Sequence, residues 1–177
     1  MIIRIIEISA VVLMMIFVVA CDRKSEFVMG DHVEVITDDG FGTGTITWTS
    51  DKSYLLDGFV FVNDGQTLTI EPGTVIRART GQGENASALI VARGGRIIAA
   101  GTPVSPIIFT CEGDDLEGSV PLLTKGLWGG LIILGNAPLN NEFNEDHVEG
   151  IPISEPRGIF GGNEPADDSG ILRYISV

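Results

Sequence analysis

Beyond the first 21 residues, apolar positions fall into short runs broken every few residues by glycine, aspartate or asparagine. No segment there holds apolar residues at the three-and-four spacing of a helix. The runs at 45–49, 54–56 and 59–62 are β-branched or aromatic and predict strands. The pattern resumes at 68–70, meets Glu71-Pro72-Gly73, and continues at 74–76. Proline fixes its own φ and glycine accepts a left-handed one, so that tripeptide predicts a sharp corner. Further strands are predicted at 107–111, 127–134 and 171–177, and the fold class is all-β.

The spacing of these strands carries an approximate repeat. Residues 61–70 align with 90–99, so that Gly65 falls on Gly94 and Leu68 on Ile97. Each copy is a short strand, a turn ending in glycine, and a second short strand. An offset within about 20–50 residues is the mark of stacked repeats. Parallel strands in an open sheet need helical crossovers, whereas in a solenoid the chain coils upward onto itself. A β-solenoid, or parallel β-helix, therefore reconciles short strands, glycine corners and the missing helices.

The N-terminus follows a different rule. Arg4 precedes an unbroken apolar stretch over 10–20, too short to cross a bilayer, which takes about 20 residues. It ends in Val18-Val19-Ala20-Cys21, which resembles a bacterial lipobox. That resemblance implies a signal peptide over 1–20 and a lipid anchor on Cys21, with two or more acyl chains for durable attachment. Residues 21–44 are polar and glycine-rich and read as a flexible tether, which leaves 45–177 as the β-helix domain.

Composition narrows the partners. The formal charge is −13, from 24 acidic and 11 basic residues, and Arg4 and Glu7 cancel within the signal segment. Such a surface repels phosphate backbones, which argues against nucleic acid, and offers oxygen ligands to hard cations such as calcium. Three acidic groups lie between predicted strands: Glu112, Asp114, Asp115 and Glu117; Glu142, Glu145 and Asp146; Glu164, Asp167 and Asp168. Asp114, Asp115, Asp167 and Asp168 are the candidate metal ligands, against the simpler reading of solvated loops, because none of the groups matches a defined calcium loop. Calcium is the only cofactor this chemistry suggests.

The segments 57–76, 88–97, 126–135 and 170–177, with Glu71-Pro72-Gly73, Gly94-Gly95 and Trp128-Gly129-Gly130 among their features, resemble a family of exported proteins. These are secreted or lipid-anchored β-helix proteins of pectin-lyase-like architecture, frequent in Bacteroidetes. The resemblance spans about 45–177 and implies a right-handed parallel β-helix. Members run longer, and the chain stops at Val177 inside a predicted strand, so the expectation is the N-terminal part of a longer solenoid.

Alternation places Ile107, Phe109 and Cys111 on one face, which predicts a buried thiol rather than a catalytic one, since only His32 and His147 exist to pair with it. A lyase would need acids to hold calcium and a base beside it, for which Arg157 and Arg173 with Asp114, Asp115 and Asp168 are the available set. Trp128, between glycines, predicts corner packing more than sugar stacking. The expected function is a non-enzymatic binding or structural module of the cell envelope, anchored through lipid to the outer membrane or cell surface rather than the inner membrane. Its expected partners are the membrane and a polysaccharide or envelope protein. The alternative is a calcium-dependent polysaccharide lyase or hydrolase.

Overall fold

Strands of three to five residues separated by tight corners cannot bury their apolar sides alone, and in this chain they do so by coiling. The computed structural model describes residues 32–177. The expected signal segment and Cys21 lie outside the described residues. The chain enters with β1 (Val33–Ile36) and then makes three strands per coil. The first coil is β2 (Ile46–Trp48), β3 (Ser53–Leu56) and β4 (Phe59–Val62); the second is β5 (Thr67–Ile70), β6 (Val75–Ala78) and β7 (Ala88–Val91). The third is β8 (Arg96–Ala100), β9 (Ile107–Cys111) and β10 (Gly130–Ile133). An inserted pair, β11 (Glu145–His147) and β12 (Ile159–Gly161), precedes β13 (Gly170–Arg173) and β14 (Ile175–Ser176) of the fourth.

Stacking the coils produces three parallel sheets, ordered β13-β8-β5-β2, β1-β3-β6-β9-β14 and β10-β7-β4. The repeat read from the sequence is the true register: Leu68 pairs with Ile97, and Phe61 with Ile90. The glycine corners also stack, since Gly65 donates to the Gly94 carbonyl at 3.1 Å and both adopt left-handed φ, 74° and 75°. Like residues thus form ladders through the interior. Tyr54, Ile76 and Phe109 share one position in successive coils, as do Trp48, Ile70 and Ala99. Each large apolar side chain so buried contributes about 1.5–3 kcal/mol.

Two features depart from the sequence reading. Residues 33–44, read as tether, include a strand: β1 pairs with β3 from Val33–Ser53 to Ile36–Leu56. The loop after it is pinned to the free edge of β4, with Thr43 donating to the Phe61 carbonyl at 2.8 Å and the Phe61 amide donating to Asp38 Oδ2 at 2.9 Å. A bare strand edge is a template for aggregation, and this loop covers one. The last predicted strand is split into β13 and β14 by Tyr174, whose φ is 47°.

The coils differ in length through their corners. The passage from β6 to β7 carries a 3-10 turn, Gly83–Asn85, and that from β9 to β10 runs over 112–129. The passage from β10 to β13 is the longest, and its hairpin lies against the outside of the third sheet. There Phe61, Ile90, Leu134 and Ile151 form a second buried cluster, with Phe59, Ile132, Val148 and Phe160 packed on it. Val60, Val62, Leu89 and Val91 point the other way, into the main core. Within the third sheet β4 and β7 are buried on both faces along most of their length, which is why they are apolar throughout.

Candidate functional site

The hairpin does not reach the whole outer face of the third sheet. Where it stops, a cleft of about 410 Å³ opens between the corner loops. Its floor is apolar because it is the continuation of the second cluster: Phe59 and Ala88 are in register on β4 and β7, and Ile132 of β10, opposite Ile90, also lines it. Trp128 forms a wall. Its neighbour Gly129 explains how it gets there, since the Gly129 amide donates to the Ser87 carbonyl at 2.8 Å and a Cβ at Gly129 would lie 2.9 Å from that of Ala88. The glycine lets the backbone run against β7 and so brings its neighbour to the cleft. Half-buried, Trp128 packs on the main core, as the corner-packing expectation has it, and also lines the cleft.

The rim is polar and supported by backbone. Gly81 donates to the Leu127 carbonyl at 3.2 Å, tying the loop after β6 to the one before β10. Gln82 and Glu149 stand on opposite loops at the edge. Neither Phe59, Gln82 nor Glu149 was singled out from sequence, because a groove between three separate corners leaves no local spacing to read.

The carboxylates expected to hold calcium sit in two different loops. Asp114 and Asp115 lie after β9. There Asp114 accepts from Thr110 Oγ1 at 2.6 Å and the Leu116 amide at 2.8 Å, and its carbonyl accepts from the Arg77 guanidinium at 3.3 Å. The amides of Glu117 and Ser119 and the Ser119 hydroxyl hold the Asp115 carboxyl below its ordinary range, the Glu117 amide most strongly. Asp167 and Asp168 precede β13. Asp167 accepts from the Asn136 amide at 2.9 Å, and Asp168 from the Gly170 amide at 2.9 Å and Arg96 at 3.0 Å, which together lower its pKa. Among the described residues no group of three or more His, Cys, Asp or Glu is gathered for a metal ion.

The lyase set is likewise dispersed. Arg157 meets a different aspartate, Asp38, at 2.9 Å, grips both oxygens of Glu155 at 2.7 Å, and lies 3.9 Å from the ring centroid of Phe61. Glu155 foremost, then Asp38, raise its pKa, so it holds its proton more firmly than an ordinary arginine. A second cleft, about 350 Å³, lies beside it, lined by Asp64 and Arg93 among others. Arg173 is exposed on β13 and stacks on Tyr174 at 5.5 Å. Cys111 is buried at the end of β9, as alternation predicts. His147, on β11, has its ring nitrogens 3.1 and 3.2 Å from the carbonyls of Val148 and Glu155.

Three parallel sheets wound from one coiling chain, with an open groove on the flank, define a parallel β-helix. The sequence from residue 40 to 177 matches the family described as pectate-lyase like beta helix domain. The chain belongs to that family, which bears out the pectin-lyase-like architecture implied by the sequence. No curated protein and no solved structure matches it.

Proposed function

We propose that this protein is an exported lipoprotein of the bacterial cell envelope, of a Bacteroidetes type, anchored through Cys21. Its right-handed β-helix serves as a non-enzymatic module that holds polysaccharide. The observation that carries the binding reading is the cleft lined by Trp128 and Phe59, with Gln82 and Glu149 as its polar groups. A flat indole and an apolar floor complement the C–H face of a pyranose ring, and the rim supplies hydrogen bonds to its hydroxyls. The lipobox supports the anchor, and the surface at which it would display the domain is the outer membrane or cell surface. The enzymatic alternative, a calcium-dependent lyase or hydrolase, lacks its base in Arg157, which is committed to Glu155 and Asp38.

The test uses the full chain produced in a bacterial host and solubilised in detergent. Mass spectrometry of its N-terminus is expected to show an acylated Cys21, and an unmodified chain starting at Met1 would remove the anchor. Passed over immobilised neutral and acidic polysaccharides, with calcium and with chelator, the protein is expected to be retained on at least one of them without releasing products. Release of unsaturated oligosaccharides that chelator abolishes would establish the enzyme instead.

A further inference from the structure

The groove carries a sign as well as a shape. Among the described residues, none of the side chains that line it is basic, and the one charged group there is the carboxylate of Glu149. The nearest cations along the chain do not change this. Arg79 precedes the lining residue Gly81 by two positions, but its guanidinium is ion-paired to Asp57 at 3.4 Å, and Lys125, next to Gly126, lies outside the lining. The whole chain, Glu149 included, carries a net −13. A polyuronate laid in the groove would bring a carboxylate with each residue into a negative field, with no basic side chain among the described lining residues to meet it, and like charges in juxtaposition oppose binding. An uncharged sugar has no such cost, and its hydroxyls can donate to Glu149 while its C–H face rests on Trp128 and Phe59.

We infer that the groove selects neutral glycans and rejects acidic ones, the reverse of what a pectate-lyase-like description suggests. This rests on the glycan-binding reading above and adds to it the class of ligand. Discrimination has an electrostatic origin, so it has a salt signature. Screening shortens the reach of the field to about 3 Å at molar salt, where rejection of the acidic chain should fade.

The protein reports on the groove by itself, because of its two tryptophans Trp48 is buried in the core at 2 % exposure and Trp128 lines the cleft. The full chain in detergent is titrated with hexasaccharides of neutral β-1,4- and β-1,3-linked hexoses and with hexagalacturonate, with and without calcium, at low and high salt. At least one neutral hexasaccharide is expected to shift the tryptophan emission saturably and to bind at least about tenfold tighter than hexagalacturonate at low salt. The gap should narrow at high salt. By calorimetry Trp128→Ala should abolish neutral binding, and Glu149→Lys, a change on the exposed rim, should raise affinity for hexagalacturonate.

Hexagalacturonate binding as tightly as the neutral chains at low salt, with loss on Trp128→Ala, would overturn the inference and leave glycan binding intact. Neutral binding that survives Trp128→Ala would also overturn it, by placing the sugar elsewhere. Binding by neither class would overturn both readings. If Trp128→Ala fails to fold, Glu149→Lys still decides, since unchanged selectivity in that variant contradicts an electrostatic filter at the groove.

Discussion

At the scale of single residues, the side chain that ties most together is Arg157. It joins three segments distant in sequence: the loop after β1 through Asp38, the edge of β4 through the Phe61 ring, and the insertion through Glu155. The Asp38 side chain is only 3 % exposed. Surface ion pairs contribute little, but removing one partner of a buried pair strands a charge, at about 3 kcal/mol. Arg157→Ala is expected to lower stability by about that amount, read as a lower urea midpoint at unchanged slope. Arg157→Lys keeps the charge without the fork and should recover only part. The same contact sets a pH dependence. Arg157 foremost holds the Glu155 carboxyl below its ordinary value, so Glu155 stabilises the fold above that value and the contribution fades as pH falls through the depressed one. Glu155→Gln should flatten the acid limb of the stability curve, whereas an unchanged limb would place the titrating group elsewhere. None of this was legible in the sequence, where Arg157 looked like a base candidate, because its partners lie in other loops. The acidic groups were legible as loops between strands, but not the turns they build: Asp38, Asp39, Asp114, Asp115 and Asp168 each accept from the amide two residues on.

At the scale of elements, what could be read depended on corner length. The stretch from β4 to β5, between the first and second coils, aligns with that from β7 to β8, between the second and third, because the corners holding Gly65 and Gly94 are equally long, and sequence alignment alone found the pairing. From β8 the next partner in the sheet is β13, with Ile97 opposite Gly170, and the long insertion between them hides the period. The insertion also explains the apolar outer face of the third sheet, which alternation alone assigns to solvent. Ile90 and Leu89 are adjacent, point to opposite faces, and are both fully buried. Ile90→Ala and Leu89→Ala are each expected to cost about 2–4 kcal/mol in chemical denaturation, the cost of a core cavity. A loss near zero for Ile90→Ala would mean that the hairpin does not cover that face in solution.

For the molecule as a whole, charge is the dominant long-range term. Four of its ion pairs, Lys52–Glu34, Arg79–Asp57, Arg93–Glu145 and Arg96–Asp168, have partly exposed side chains and add little apiece. With 24 acids against 11 bases, self-repulsion outweighs them, and a compact coil concentrates that repulsion relative to the unfolded chain. Salt screens repulsion and attraction alike, so the sign of its effect reveals which is larger. Raising sodium chloride from low to physiological strength is expected to raise Tm by a few degrees, about 2–4 °C for each kcal/mol of repulsion removed. A fall would mean that the ion pairs dominate after all. Calcium divides this general effect from a specific one. At matched ionic strength it should raise Tm no more than magnesium, because Asp114 and Asp115 sit in one loop, Asp167 and Asp168 in another, and all four already accept hydrogen bonds. A calcium-specific rise, lost in Asp114→Asn with Asp115→Asn or in Asp167→Asn with Asp168→Asn, would identify the loop that rearranges to bind the ion, since a ligand bound only to the folded state must stabilise it.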